Sequence, residues 1–154
     1  MMPEAERPPV SPMGADSRHR AREAALQMLY QWEIGRSSPG DTILTYWPAQ
    51  EEAPDLAEEH REFANLLVRG TTQRVGEIDG LLAERAQNWR VERMAVLDRL
   101  VLRLATYEML AEPATPAKVI INEALELTRQ YSGDEAVAFV NGVLDGVRKQ
   151  LGRE

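Results

Sequence analysis

Apolar residues recur along most of the chain at intervals of three and four positions, the spacing of one face of an α-helix. The first such segment runs from Asp16 to about Ile34, and Gly35 stands where a helix would stop. Its apolar positions are Ala21, Ala24, Ala25, Met28, Leu29 and Trp32. The pattern predicts one amphipathic helix.

The same spacing returns after a short apolar turn, TILTYW, that precedes Pro48. It predicts a helix from 55 to about 75 and another over EIDGLLAERAQNW, which Gly80 weakens. Residues 94 to 110, MAVLDRLVLRLATYEML, are apolar on most sides, which is typical of a central helix. Pro113 and Pro116 then end this helix and begin the next, KVIINEALELTRQYS.

A last helix is predicted from 134 to about 151. It follows SGDE, in which Ser132 and Glu135 have the spacing of a capping box. No stretch alternates apolar and polar residues well enough to predict a strand. The pattern therefore predicts an all-α fold of about seven helices joined by short loops.

Two glycines stand four positions apart in the last helix, at Gly142 and Gly146. Glycine is a poor helix former, costing up to about 1 kcal/mol against alanine. The spacing puts both on one face and predicts close approach of a neighbouring helix. The alternative is a flat docking surface for RNA or protein.

Length and composition narrow the class of protein. A chain of 154 residues suits one domain, here 16–152, and no cysteine is present. Disulfides and thiolate metal sites are thereby excluded, and a reducing cytoplasm fits. Residues 1–15 mix acids with prolines and lack an apolar run, so they predict a disordered arm and not a secretory signal. No apolar run is long enough to predict a membrane span.

Charge is unevenly distributed within a formal net charge of -7. Residues 41–62 hold seven acids and one arginine, a balance of -6. Residues 17–36 hold four arginines and two glutamates, a balance of +2. The net charge therefore conceals a polarised surface.

The positive charge lies at the start of the first predicted helix, in SRHRAREAALQ. A helical projection places Arg18 and Arg22 on one edge of the apolar stripe, and His19, Arg20 and Tyr30 toward solvent. Guanidinium groups bind phosphate and an exposed ring stacks on a base, so this pattern favours a single-stranded RNA track. A solvated face with Glu23 as ion-pair partner is the alternative.

No motif for catalysis or metal binding stands out. The histidines, His19 and His60, fall in different predicted helices without matching acidic ligands. There is no glycine-rich phosphate loop, no G-x-S-x-G and no cysteine nucleophile. The sequence predicts a protein that is not an enzyme and that uses no cofactor or metal.

Three segments, in order and suitably spaced, resemble the transcription antitermination factor NusB family. They are RHRAREAALQMLYQWEI at 18–34, VLRLATYEML at 101–110, and KVIINEALELTRQYSGDEAVAFVNGVLDGV at 118–147. The resemblance implies two packed three-helix bundles, with subdomains of about 16–90 and 91–152. It also implies binding of boxA RNA in ribosomal RNA leader transcripts, with the small-subunit ribosomal protein NusE, to make RNA polymerase ignore terminators.

The resemblance also implies roles for particular residues. The RNA-binding set is Arg18, His19, Arg20, Arg22, Tyr30, Asp134 and Glu135. The helix expected to face the protein partner carries Asp98, Arg103 and Glu108. Many members have a lysine or arginine just before FVNGVLD, where this chain has Ala138, and their arginine-rich stretch lies nearer the terminus.

Two other functions remain open at the level of sequence. NusB-like domains also precede ribosomal RNA cytosine methyltransferases, so the chain could be an RNA-recognition module of such a system. Without a Rossmann-like segment or a cysteine nucleophile it would not itself methylate. Alternatively, the glycine face and apolar central helix could serve a homo-oligomer, and a homodimer could cover the arginine edge until RNA and partner arrive.

Overall fold

The computed structural model describes residues 17–50, 56–86 and 94–154, and these residues contain seven α-helices and no strand. The helices are α1 Ser17–Gly35, α2 Pro39–Tyr46, α3 Glu58–Gln73, α4 Val75–Arg85, α5 Val96–Ala111, α6 Ala117–Tyr131 and α7 Asp134–Gln150, with a 3₁₀ helix at Trp47–Ala49. The all-α prediction is confirmed. The predicted N-terminal arm lies outside the described residues. None of the described helices is long and apolar enough to cross a bilayer.

The chain divides into two compact units, Met1–Thr72 and Gln73–Glu154. The first holds α1, α2 and nearly all of α3, and the second holds α4 to α7. The sequence analysis placed the division near residue 90, which would put α4 in the N-terminal part. In the structure α4 packs on α5 and α7, so it belongs to the C-terminal unit.

Helix α1 forms because its sequence is rich in strong helix formers and has no β-branched residue before Ile34. It buries the stripe Ala21, Arg22, Ala24, Ala25, Leu26, Met28 and Leu29. The helix includes Gly35, and the left-handed residue that ends it is Arg36, with φ 55°. The Arg36 N–H donates to the Trp32 carbonyl at 3.1 Å, closing the last turn.

The segment predicted as an apolar turn is a helix, α2. Ser38 caps it, because its Oγ accepts a hydrogen bond from the Asp41 N–H at 3.1 Å, and Pro39 occupies the first turn. Ile43 and Tyr46 are buried, whereas Leu44 is exposed. The Tyr46 hydroxyl donates to Gln27 of α1, which fixes α2 within the first unit.

Helix α5 is central in the second unit, as the sequence predicted. Every residue from 99 to 109 is buried. The Arg153 guanidinium donates to the carbonyls of Met109 and Thr115, so it satisfies backbone acceptors at the end of α5 and in the loop that follows. Arg148 in turn donates to the Arg153 carbonyl at 3.0 Å.

The capping box predicted for α7 is wrong. The N-cap is Gly133, whose φ of 104° suits glycine, and no side chain caps the helix there. Ser132 instead ends α6, because its N–H and that of Gly133 both donate to the Thr128 carbonyl, at 2.8 and 2.9 Å. The serine therefore lies one residue too early to cap α7.

The two glycines of α7 have different surroundings. A Cβ on exposed Gly142 would meet no atom of the described residues within 4 Å, so the predicted close approach of a neighbouring helix is wrong at this position. A Cβ on Gly146 would lie 3.1 Å from Cδ of Arg85 in α4. Only Gly146 is therefore needed for packing, and what it accommodates is a side chain.

Gly142→Ala should raise the free energy of unfolding by about 0.5–1 kcal/mol, because alanine is the better helix former and meets open space. Gly146→Ala should raise the free energy of unfolding by less, or not at all. Its methyl would displace Arg85, whose Nε donates to Gln150 at 2.6 Å. Urea unfolding followed by circular dichroism compares the pair, and equal stabilisation by both variants would contradict this account.

Candidate functional site

The exposed start of α1 carries Arg18, and its guanidinium lies over a ring of α3. The Arg18 Cζ is 3.9 Å from the centroid of Phe63, and the Arg22 Cζ is 5.6 Å from the same centroid. Both distances are within cation–π range. The prediction that these arginines share one edge of α1 is confirmed.

The two arginines differ in accessibility. Arg18 is exposed, whereas Arg22 is only 3% exposed. A buried guanidinium is not available for a phosphate as the structure stands. Arg22 thus contributes positive charge from beneath the surface, and Arg18 presents it at the surface.

The helix dipole does not favour this placement of charge. The first turn of α1 contains no acid, and the N-terminal end of a helix carries partial positive charge. A cation there costs a few tenths of a kcal/mol, and stacking on Phe63 offsets a cost of this size. The arginines and the N-terminal end of the helix therefore carry charge of the same sign.

The other α1 residues of the predicted set are partly buried. His19, Arg20 and Tyr30 all fall between buried and exposed, so the expectation that they face solvent holds only in part. All three remain partly accessible, and all lie on the same helix as Arg18. The first unit thus brings five predicted RNA-binding residues onto one helix.

Acidic side chains occupy other positions of the first unit. Asp41, Glu58, Glu59 and Glu62 are exposed on α2 and α3, while the remaining acids of the run, Glu51, Glu52 and Asp55, lie outside the described residues. The Arg61 side chain contacts neighbouring residues of the same unit. Its Nε donates to the Leu56 carbonyl at 3.1 Å, and its Cζ lies 5.2 Å from the centroid of the Trp47 ring. The described acidic run is therefore solvated.

The second unit carries Asp134 and Glu135 in the exposed first turn of α7. Phe139 follows one turn later and is 44% exposed, next to exposed Ala138. The sequence analysis missed this phenylalanine as a candidate. A helical projection of the sequence could have identified it, because Phe139 lies about a quarter turn from the centre of the buried stripe. That stripe consists of Val140, Val143, Leu144 and Val147.

The three residues predicted to face a protein partner all lie on α5, but two are buried. Arg103 is 5% and Glu108 1% exposed. Asp98, in the first turn, is partly accessible, and its Oδ1 is buried without a hydrogen-bond partner. Asp98 is therefore the one member of this set whose side chain a partner can reach in the structure as described.

Arg103 has an internal role that the sequence did not reveal. Its Nε and Nη2 donate to the two carboxylate oxygens of Asp79 in α4, at 2.9 and 2.8 Å. Such a bidentate pair is among the strongest side-chain interactions. It ties α4 to α5 inside the second unit.

No metal centre emerges from the described part of the chain, which contains no group of three or more His, Cys, Asp or Glu side chains placed to hold an ion. His19 lies on α1 and His60 on α3. The Nε2 atom of His60 lies 3.7 Å from Oε1 of its neighbour Glu59.

Comparison with known proteins identifies the family. The model of the NusB family matches residues 19–149. This chain belongs to the NusB family. The transcription antitermination protein NusB of Koribacter versatilis is 45% identical over 138 residues, which cover 90% of this chain and 92% of that protein. The protein of the same description from Sorangium cellulosum is 43% identical over 141 residues, 92% of this chain and 96% of that one.

Solved structures of NusB proteins share the fold. The T. maritima NusB structure has a TM-score of 0.76 and 34% identity, covering 86% of this chain and 91% of that chain. A chain from the crystal structure of the antitermination factors NusB and NusE in complex with dsRNA has a TM-score of 0.76 and 25% identity. The match covers 87% of this chain and 97% of that chain. The all-α fold is thereby supported over both units.

The NusB match includes nearly all of the candidate residues. It begins at His19 and ends at Lys149, so it spans the predicted sets on α1, α5 and α7. Arg18 lies one position outside the matched range, yet the structure places it against Phe63, which lies within that range. The ring contact therefore makes Arg18 part of the same surface.

Proposed function

We propose that this chain is a transcription antitermination factor that binds the boxA RNA of ribosomal RNA leader transcripts together with the ribosomal protein NusE. In this role it promotes processive antitermination by RNA polymerase, acts as an adaptor and not as an enzyme, and works in the cytoplasm. The observation that carries the proposal is the arginine-bearing, accessible start of α1 in a chain of the NusB family.

The α1 residues suit single-stranded RNA by their chemistry. Arg18 and Arg20 offer planar sets of N–H donors that match phosphate oxygens, and His19 adds a polar ring between them. Tyr30, partly exposed on the same helix, offers an aromatic face on which a base stacks. Arg22, buried beneath, adds charge without direct contact.

The start of α7 suits bases better than phosphates. Carboxylates repel phosphate but accept hydrogen bonds from the exocyclic amino groups of bases, so Asp134 and Glu135 contribute selectivity. Phe139, 44% exposed, adds a stacking surface one turn away. Ala138 supplies no positive charge at this position, so phosphate binding is assigned to the arginines of α1.

The acidic remainder of the protein suits a basic ribosomal protein. A net charge of -7 weakens binding to RNA in general and leaves a negative surface for a positively charged partner. On α5 the accessible group is Asp98, whose buried oxygen lacks a hydrogen-bond partner. Arg103 and Glu108, which are buried, would support the shape of this surface from within.

Fluorescence anisotropy with a boxA oligonucleotide and a scrambled oligonucleotide, each with and without NusE, tests the proposal. We expect preferential binding to boxA, strengthened by NusE, at near-physiological salt. Equal and weak binding to both RNAs in all conditions would overturn the antitermination role. Light scattering over a concentration series with RNA would then show whether the chain is instead a homo-oligomer.

A further inference from the structure

The chain leaves α1 through a left-handed backbone conformation at Arg36. Among the described residues this is the one non-glycine position with a positive φ, 55°, and its N–H closes the last turn of the helix on the Trp32 carbonyl. Such a conformation is costly for a residue with a Cβ, and glycine usually adopts it at the end of a helix. Here the glycine, Gly35, lies one position earlier and inside the helix, so the cost falls on an arginine.

The Arg36 side chain is exposed. Within the part of the chain that the structure describes, its guanidinium makes no ion pair and no hydrogen bond. Asp41 follows in the first turn of α2 and is exposed as well, yet the two side chains do not pair. The N–H donors of the Arg36 guanidinium are therefore open to a ligand.

Two other accessible side chains lie at the same end of α1. Tyr30 is partly exposed and Ile34 is 51% exposed. They are four positions apart and hence lie on one face of the helix, one turn from each other. At 1.5 Å per residue, Arg36 follows Tyr30 by roughly 9 Å along the axis. This end of α1 thus presents an aromatic ring, an apolar side chain and an unpaired cation.

The helix dipole explains a cation near this end but not its conformation. The C-terminal end of a helix carries partial negative charge and favours a basic residue nearby. The last turn of α1 contains no basic residue, and Arg36 is the first one after it. A basic residue within that turn would meet the same dipole at an ordinary helical φ. The exposed, left-handed position therefore indicates a further role for the side chain.

We propose that Arg36 binds a phosphate of the RNA, with the adjoining base against Tyr30 and Ile34. A cation beside stacking side chains is the chemistry that single-stranded RNA requires. The inference rests on the proposed function, because it extends the same RNA path to the C-terminal end of α1. At the helical rise, Arg36 lies about 27 Å from Arg18, so the bound strand follows the whole length of the helix.

A thermodynamic cycle between protein and RNA tests the contact. Arg36→Gly removes the cation and suits the left-handed φ, so the melting temperature should hold or rise. Binding of boxA should weaken roughly three- to tenfold, and the salt slope should become shallower by about 0.7, the value for one phosphate on a single strand. Methylphosphonates, which are uncharged, then replace the phosphates one at a time. One such replacement should weaken binding to the wild-type protein but not to the Arg36→Gly variant.

Arg69→Gln is the matched control. Arg69 is exposed on α3, and its side chain likewise makes no ion pair or hydrogen bond among the described residues. The net charge changes by the same amount, but every methylphosphonate should weaken binding to this variant as it does to the wild-type protein. If Arg36→Gly behaves in the same way at every linkage, or loses no more affinity than the control, the inference is overturned. If the wild-type protein itself fails to bind boxA, the proposed function fails and the inference with it.

Discussion

Asp79→Asn should lower the free energy of unfolding by about 3 kcal/mol, since it removes the carboxylate charge that the buried Arg103 guanidinium contacts through two of its N–H groups. Arg103 is 5% exposed and donates to both oxygens of Asp79. For a protein of this size the loss corresponds to a fall in melting temperature of roughly 6–12 °C. Thermal unfolding by circular dichroism measures it directly.

Glu77→Gln provides the matched control, because it removes an acid two positions away in the same helix. Arg74 donates two hydrogen bonds to Glu77, each 2.9 Å long, and these hold the pKa of that carboxyl below its ordinary value. The pair is exposed to solvent, where ion pairs contribute little to stability. We expect no measurable shift in melting temperature. A similar shift in both variants would show that the buried pair is not special.

Loss of both accessible α1 arginines, Arg18→Ala with Arg20→Ala, should weaken boxA binding at least about tenfold, since hydrogen bonds to charged groups are the strong ones. The dependence of the logarithm of affinity on the logarithm of salt concentration should also become shallower by about 1.4, two phosphate contacts at about 0.7 each on a single strand. Anisotropy titrations between low and moderate salt provide both numbers.

Arg69→Ala with Arg129→Ala is the control of equal charge. Both arginines are exposed on other helices, α3 and α6, and neither belongs to the candidate site. The net charge changes by the same amount, so a purely global electrostatic effect would weaken binding equally. If this control weakens boxA binding and reduces the salt dependence of the affinity as much as the α1 variant does, RNA binding is not located at α1.

The sequence predicted features that depend on local periodicity. Helix α5 was identified as central because its apolar residues cover most of its circumference, and burial from 99 to 109 confirms this. The shared edge of Arg18 and Arg22 followed from their separation by four residues, and Phe63 contacts both. Such features require only the geometry of one helix.

Features that depend on distant residues could not be predicted in this way. Arg103 was assigned to a partner surface, and the sequence did not reveal that it also donates to Asp79, 24 positions earlier in the chain. The capping box failed because the left-handed φ of Gly133 shifts the helix start past Ser132. Helix α2 was read as a turn because its apolar run is short, although Ser38 and Pro39 form a recognisable start signal.

The Arg153 contacts have a consequence for how the protein matures during translation. The carbonyl of Met109 receives its arginine donor from a residue 44 positions later in the chain. At synthesis rates of roughly 5–20 residues per second, α5 therefore exists for about 2–9 seconds before that donor is made. The first unit, whose residues are all made earlier, faces no such delay. During synthesis the residues of α1 are therefore complete well before the end of α5 receives its hydrogen bond from Arg153.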